Sequence, residues 1–180
     1  LYFEGAYGMT ALVAGLLILP AIACNAVTSI VGGRVMDARG AWPLLPVGFA
    51  LIAVGQTAIS VTAVSMNIGV VVALTVVVYA GVGLVLSPSQ TAGLETLPGA
   101  EHPHGTALLN TWNMIAASFG PSLFIGLLSS SAATAGAAGV ATDVAQAIGF
   151  AAAVRVAAVI AVVGFVASLV YARRESHMSH

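Results

Sequence analysis

The 180-residue sequence is 59% hydrophobic and 6% charged, with five arginines, no lysine, six acidic residues and a formal net charge of −1. A soluble domain of this size carries roughly a quarter of its residues charged, and without them it would expose apolar patches well beyond the few hundred Å² a monomer tolerates. The composition therefore excludes a water-soluble globule, the near-zero charge without a basic cluster excludes a nucleic-acid binder, and the lone Cys24 excludes an internal disulfide.

The first ten residues lack a basic n-region, so no cleavable signal peptide is expected. A bilayer core of about 30 Å needs about 20 apolar residues per helix, and five runs reach that length: about 11–31, 44–64, 68–88, 106–129 and 147–171. The predicted fold is thus an all-α integral membrane bundle of about five transmembrane helices forming a single domain over 1–180. A short charged connection, Gly32-Gly33-Arg34 to Trp42-Pro43, follows the first run, and Ser65-Met66-Asn67 reads as a tight turn. A longer connection from Pro88 to Gly105 holds Glu95, Pro98, Glu101, His102, Pro103 and His104. The stretch from Ser129 to Asp143, rich in Ser, Ala, Gly and Thr, reads as a flexible link. Gly48 with Gly55, and Gly120 with Gly126, are expected to mark close helix contacts.

Five alternating spans place the chain ends on opposite sides of the membrane. Arg34 and Arg39 follow the first span and Arg173 and Arg174 the fifth, whereas the connections on the other side carry no basic residue. The positive-inside rule then places the 32–43 connection and the C-terminus in the cytoplasm of a multi-pass cell-membrane protein, with the N-terminus and the 129–143 link outside.

The connection Gly33-Arg34-Val35-Met36-Asp37-Ala38-Arg39-Gly40 is the most specific feature of the sequence. A short turn between helices needs glycine, and a carboxylate beside it can dock on a helix N-terminus. The pattern resembles the signature loop of the major facilitator superfamily, G-x-x-x-D-R-x-G: Gly33, Asp37 and Gly40 match, while arginine falls one place late, at Arg39. Tyr2-Phe3-Glu4 with Gly8, then Ala14-Gly15-Leu16-Leu17 and Pro20, resemble the entry to the eighth core helix. For that reason Leu1-Tyr2-Phe3-Glu4-Gly5, which also resembles the scar of a cleavable tag, is read as native. Pro88-Ser89-Gln90, Leu97-Pro98, His104-Gly105-Thr106-Ala107 and Leu109-Asn110-Thr111 resemble the tenth-to-eleventh helix connection of the EmrB/QacA-type, fourteen-span drug:proton antiporters, and Gly149-Phe150 opening the last span fits the same family.

The resemblance implies that the chain is the C-terminal portion of such a transporter, core helices eight to twelve, and that its partners are the lipid bilayer, a drug-like small molecule, protons and the missing N-terminal helices of the same transporter. It also implies cavity roles for Asn25 on helix eight, Thr75 and Tyr79 on helix ten, and Asn110 and Asn113 on helix eleven. Interhelical hydrogen bonding is the commoner use of a membrane-embedded amide and stands as the alternative for each asparagine. Gly120-Pro121 inside the fourth span is a hinge candidate, an ordinary proline kink being the alternative. Arg155 is expected to snorkel to the headgroups. His102-x-His104 lacks further ligands, so no metal is expected, and no cofactor is implied. The five spans contain no Asp or Glu. A proton-binding carboxylate would therefore belong to the preceding helices, Glu95 being the nearest candidate here. No nucleophile with a base and no phosphate loop is present, so an enzyme is not expected. The competing function is a truncated or non-transporting membrane protein acting through helix–helix association.

Overall fold

The computed structural model describes residues 2–65 and 67–178, with side chains as far as Arg173. Among these residues the elements are α1 (Tyr2–Tyr7), α2 (Ala11–Arg39), α3 (Leu44–Thr62), α4 (Ile68–Glu95), α5 (His102–Ala137) and α6 (Thr142–Met178), with 3₁₀ turns at Ala63–Ser65 and Gly99–Glu101. Five helices are long and apolar enough to cross a membrane, as expected.

The helix ends follow local chemistry. The Thr10 hydroxyl accepts from the Val13 N–H at 3.5 Å to open α2, and the Asn67 side chain accepts from Val70 N–H at 3.3 Å to open α4. Met66, part of the predicted turn here, lies outside the described residues. Pro103 sits in the first turn of α5, where its missing N–H costs nothing.

Three predicted connections are shorter than expected. α2 continues to Arg39, so Gly33, Arg34 and Asp37 stand on its last two turns and only 40–43 turns the chain. Nothing in α2 before Gly40 demands an end: Gly40, at φ +77°, is the first left-handed residue after the helix begins, and its N–H closes on the Met36 carbonyl. α4 runs through Pro88 to Glu95, leaving a link of a few residues before α5. The third correction is the largest. The 129–143 segment is no flexible link; α5 stays helical to Ala137 and α6 resumes at Thr142. Alanine is the best helix former, and the hydroxyls that might compete with the backbone fold back onto it, Ser130 onto Leu127 O and Thr134 onto Ser130 O. Gly139, at φ +83°, makes the turn.

The helices pack as an open row in the order α2, α4, α3, α6, α5. Glycine sits at each junction. A Cβ on Gly48 would lie 2.9 Å from the Gly81 carbonyl of α4, one on Gly55 would lie 2.6 Å from the Val78 side chain, and one on Gly149 would run into the Leu128 carbonyl of α5. Gly48 and Gly55 thus mark contacts as predicted. Gly120 and Gly126 do not: a Cβ on either would meet nothing within 4 Å, because both lie on exposed positions of α5.

At one end of the row α1 is tucked in. Tyr2 and Phe3 are buried with Ala14, Val71, Ala147 and Ala151. The Tyr2 ring stacks on Phe150 of α6 at 4.3 Å, and its hydroxyl donates to the Ala63 carbonyl at 2.7 Å. Burial first, and the Tyr7 hydroxyl second, push the Tyr2 phenol above its ordinary pKa, which keeps this donor protonated. The end of α3 is therefore level with Phe150. The eight residues Thr142–Gly149 of α6, paired with the end of α5, rise about 12 Å beyond it.

Candidate functional site

The two ends of the row, α2 and α5, do not pack on each other, and each buries few residues: Ala14, Ala21 and Gly32 on α2, Leu128 and Ala132 on α5. Between them the row leaves a groove over α4, α3 and α6, closed at one end by α1. Val72 of α4 packs on the cluster that holds Tyr2, Phe3 and Val71, while Val82 of α4 and Phe124 of α5 pack on the Ile59–Val78–Val154 cluster. Thr75 and Tyr79 lie on the same α4 stripe, at helical spacings of three and four between Val72 and Val82. Both are half-buried, and helical spacing puts them on the side of α4 that Val72 and Val82 share, which is the side toward the groove. The Thr75 hydroxyl donates back to the Val71 carbonyl at 2.7 Å, and the Tyr79 hydroxyl makes no hydrogen bond to the described residues.

Asn25 joins this group directly. Its Nδ2 donates to the Tyr79 carbonyl at 3.0 Å, which ties α2 to α4. The interhelical alternative for Asn25 is thus the observed one. Asn110 and Asn113 are not gathered with it. They stand on the stretch of α5 before Gly120, where residues 110–120 are exposed throughout, as are Trp112 and Met114. Beyond Pro121 the same helix is anchored, with Phe124 edge-on to Phe150 at 6.0 Å and Leu128 buried. Gly120 and Pro121 therefore sit at the boundary between a packed half of α5 and an unpacked half, and Gly120, Leu123 and Phe124 line a recess of about 200 Å³ against Ala153 and Ile160 of α6.

At the arginine-bearing end, Arg34, Asp37 and Arg39 are exposed on the last turns of α2, and their side chains make no ion pair with the described residues. Gly33 is half-buried, and Gly40 forms the turn against Trp42. Ala41 and Leu45 bury beneath this turn with Val85 and Ala92 of α4, and Tyr171 of α6 packs on them. His102 places Nε2 3.1 Å from the Leu97 carbonyl and is committed to closing the α4–α5 link. Arg155 is exposed on α6.

Sequence reasoning passed over Gly81, Gly83 and Thr28, and singled out Phe150 only as part of the family resemblance at the start of the last span. A signal for the glycines was present. Gly81 and Gly83, two apart, point about 200° from each other. Gly81 meets Gly48 of α3 and Gly83 meets Asn25 and Thr28 of α2. The hub role of Phe150 had no comparable signal, since Tyr2, Phe124 and Phe150 are far apart in the chain.

Residues 1–121 match the family model of the Major Facilitator Superfamily. The chain is 34% identical over 170 residues to the uncharacterised MFS-type transporter YcnB of Bacillus subtilis (strain 168), covering 93% of this chain and 35% of that protein. It is 31% identical over 129 residues to the lincomycin resistance protein LmrB of Listeria monocytogenes, covering 72% of this chain and 27% of that protein, and 30% identical over 129 residues to LmrB of Bacillus subtilis, covering 71% and 27%. No solved structure matches the chain significantly. The chain spans about a third or less of the length of these relatives. With a family match over more than half its residues, a multi-pass helical architecture and relatives that are transporters rather than enzymes, this chain belongs to the major facilitator superfamily.

Proposed function

We propose that the chain is the C-terminal part, core helices eight to twelve, of an EmrB/QacA-type secondary transporter that expels small drug-like molecules by alternating access, with proton entry as the driving force. It lies in the cell membrane with its N-terminus outside and its C-terminus in the cytoplasm. The observation that carries this reading is the similarity to proteins named for lincomycin resistance over some seven-tenths of the chain. The groove supports it. A site enclosed by two halves of a transporter requires each half to leave one face open, and here α2 and α5 leave theirs unpacked. α1 enters that groove from one end, so helices preceding it in the same polypeptide would lie along it, beside Thr75, Tyr79 and the exposed Asn110 and Asn113.

In this reading Asp37, exposed on the last turns of α2, docks on a helix N-terminus of the other half, where unpaired N–H groups favour a carboxylate. Asn at this position keeps the shape and removes the charge. In a full-length transporter containing this chain, Asp37→Asn is expected to lower drug export about fivefold to tenfold while leaving membrane insertion unchanged. Efflux of a fluorescent drug from loaded cells, with the amount of protein in the membrane measured in parallel, reads both. Equal export by the variant removes the docking role. Absence of drug export from an inserted wild-type protein removes the transport reading itself and favours helix association as the chain's role.

A further inference from the structure

Between Tyr79 and Gly83, α4 is held by its backbone rather than by its side chains. A Cβ on Gly81 would stand 2.6 Å from the Gly48 carbonyl and 3.1 Å from the Ile52 N–H nitrogen of α3. On the other side, a Cβ on Gly83 would stand 2.7 Å from the Asn25 carbonyl and 3.1 Å from the Ser29 nitrogen of α2, and would collide with the Thr28 hydroxyl. That hydroxyl is itself turned onto its own helix, 2.9 Å from the Cys24 carbonyl and 3.1 Å from that of Asn25, and so takes no part in joining the two helices. Backbone contact of this kind fixes distance and blocks any rotation large enough to bring a Cβ of Ala80, Val82 or Leu84 into either gap, but within that range the glycine surfaces supply no directional bond. One directional bond is present at the same level: Asn25 Nδ2 to the Tyr79 carbonyl, at 3.0 Å. The same carbonyl accepts the Gly83 N–H within α4, so its second lone pair is the one Asn25 takes.

We infer that Asn25 is a positioning residue: it locks the rotation of α4 about its axis and thereby sets the direction in which the Tyr79 side chain faces the groove. A rotation of α4 by part of one residue's angle, which is about 100°, would turn Tyr79 and Thr75 away from the groove, while Ala73 and Val77, about 200° round the helix from them, would stay outside it. Asn25 then acts through the α4 backbone, and Tyr79, whose hydroxyl has no partner among the described residues, is the group presented to whatever occupies the groove. The inference rests on the transport reading for what Tyr79 meets there, but not for the positioning itself.

The test needs no substrate, so its failure is distinguishable from failure of the transport reading. The 180-residue chain, with Cys24→Ser, is placed in lipid nanodiscs, and single cysteines are introduced in turn at Ala73, Thr75, Val77 and Tyr79. Replacing Tyr79 leaves its backbone carbonyl, and hence the bond, in place. With Asn25 intact, a water-soluble maleimide is expected to modify positions 75 and 79 faster than 73 and 77. Asn25→Leu, which keeps the volume and removes the donor, is expected to slow modification at 79 about fivefold and to leave position 77 unchanged or faster. Asn25→His, which retains a nitrogen donor two bonds beyond Cβ, is expected to restore the original pattern. A loss of packing without rotation would change all four rates in the same direction. That result, or an unchanged rate at position 79 in Asn25→Leu, overturns the assignment.

Discussion

Replacing Gly83 by leucine is expected to detach α2 from the rest of the row. The atoms that a Cβ would meet are mostly backbone, the Asn25 carbonyl and the Ser29 nitrogen, and backbone cannot swing aside as a side chain can. Overpacking of a filled interior costs about 1–3 kcal/mol where side chains can adjust. Here the two helices must separate, which also breaks the Asn25–Tyr79 bond, so a loss of about 3 kcal/mol or more is expected. No hydrophobic force holds helices together in lipid, and association there depends on close packing. The loss should therefore appear as a lower thermal midpoint and a smaller monodisperse fraction in detergent. Gly93→Ala is the matched control on the same helix. Nothing lies within 4 Å of Gly93, and a change within about 0.5 kcal/mol is expected.

Phe150→Ala is expected to have the second-largest effect. Among the described residues Phe150 is the one ring that touches both Tyr2 of α1, at 4.3 Å, and Phe124 of α5, at 6.0 Å. Truncating a packed aromatic to alanine typically costs about 3–5 kcal/mol. Loss of this ring should free α1 and, through Phe124, loosen the anchored half of α5 from α6. Tyr2→Phe separates the two parts of the clamp. It removes only the hydroxyl that donates to Ala63 and keeps the stack, so a loss of about 1 kcal/mol is expected. Limited proteolysis near Gly8 and in the 138–141 turn reads the difference. Cleavage at both sites should accelerate strongly in Phe150→Ala and slightly in Tyr2→Phe. Equal behaviour of the two variants would mean that the hydroxyl, rather than the ring, holds α1.

The membrane class and the five helices were legible because lipid imposes one rule on every backbone group, and an apolar run of about 20 residues satisfies it only as a helix. Where the helices stop was less legible. Hydropathy falls at Gly32, Pro88 and Ser129, yet α2, α4 and α5 continue past those points, since helix geometry outside lipid depends on local hydrogen bonding and not on greasiness. The 129–143 segment is the sharpest example: a Gly–Ser-rich composition suggests a linker, but Ala content and hydroxyls bonded back to the helix keep it helical to Ala137. Site residues were legible as types and not as partners. The unusual depth of Asn25 singled it out, while its partner is a backbone carbonyl 54 positions away, which no side-chain pattern encodes. Asn110 and Asn113 share a helix face as their spacing requires, but the half of α5 that carries them is unpacked, so the sequence alone could not say what they face.

The arrangement of arginines and spans makes one further demand, that successive turns lie on alternate sides of a bilayer. Ala38, Gly99, Asn67 and Ala138 are exposed near four successive turns. In a Cys24→Ser background, single cysteines at these positions can be offered an impermeant maleimide on intact cells. Labelling at positions 67 and 138 before permeabilisation, and at 38 and 99 only after it, is the predicted pattern. Equal labelling of 38 and 138 on intact cells, or recovery of the chain in the soluble fraction, would contradict the account of five lipid-crossing helices with their arginines toward the cytoplasm.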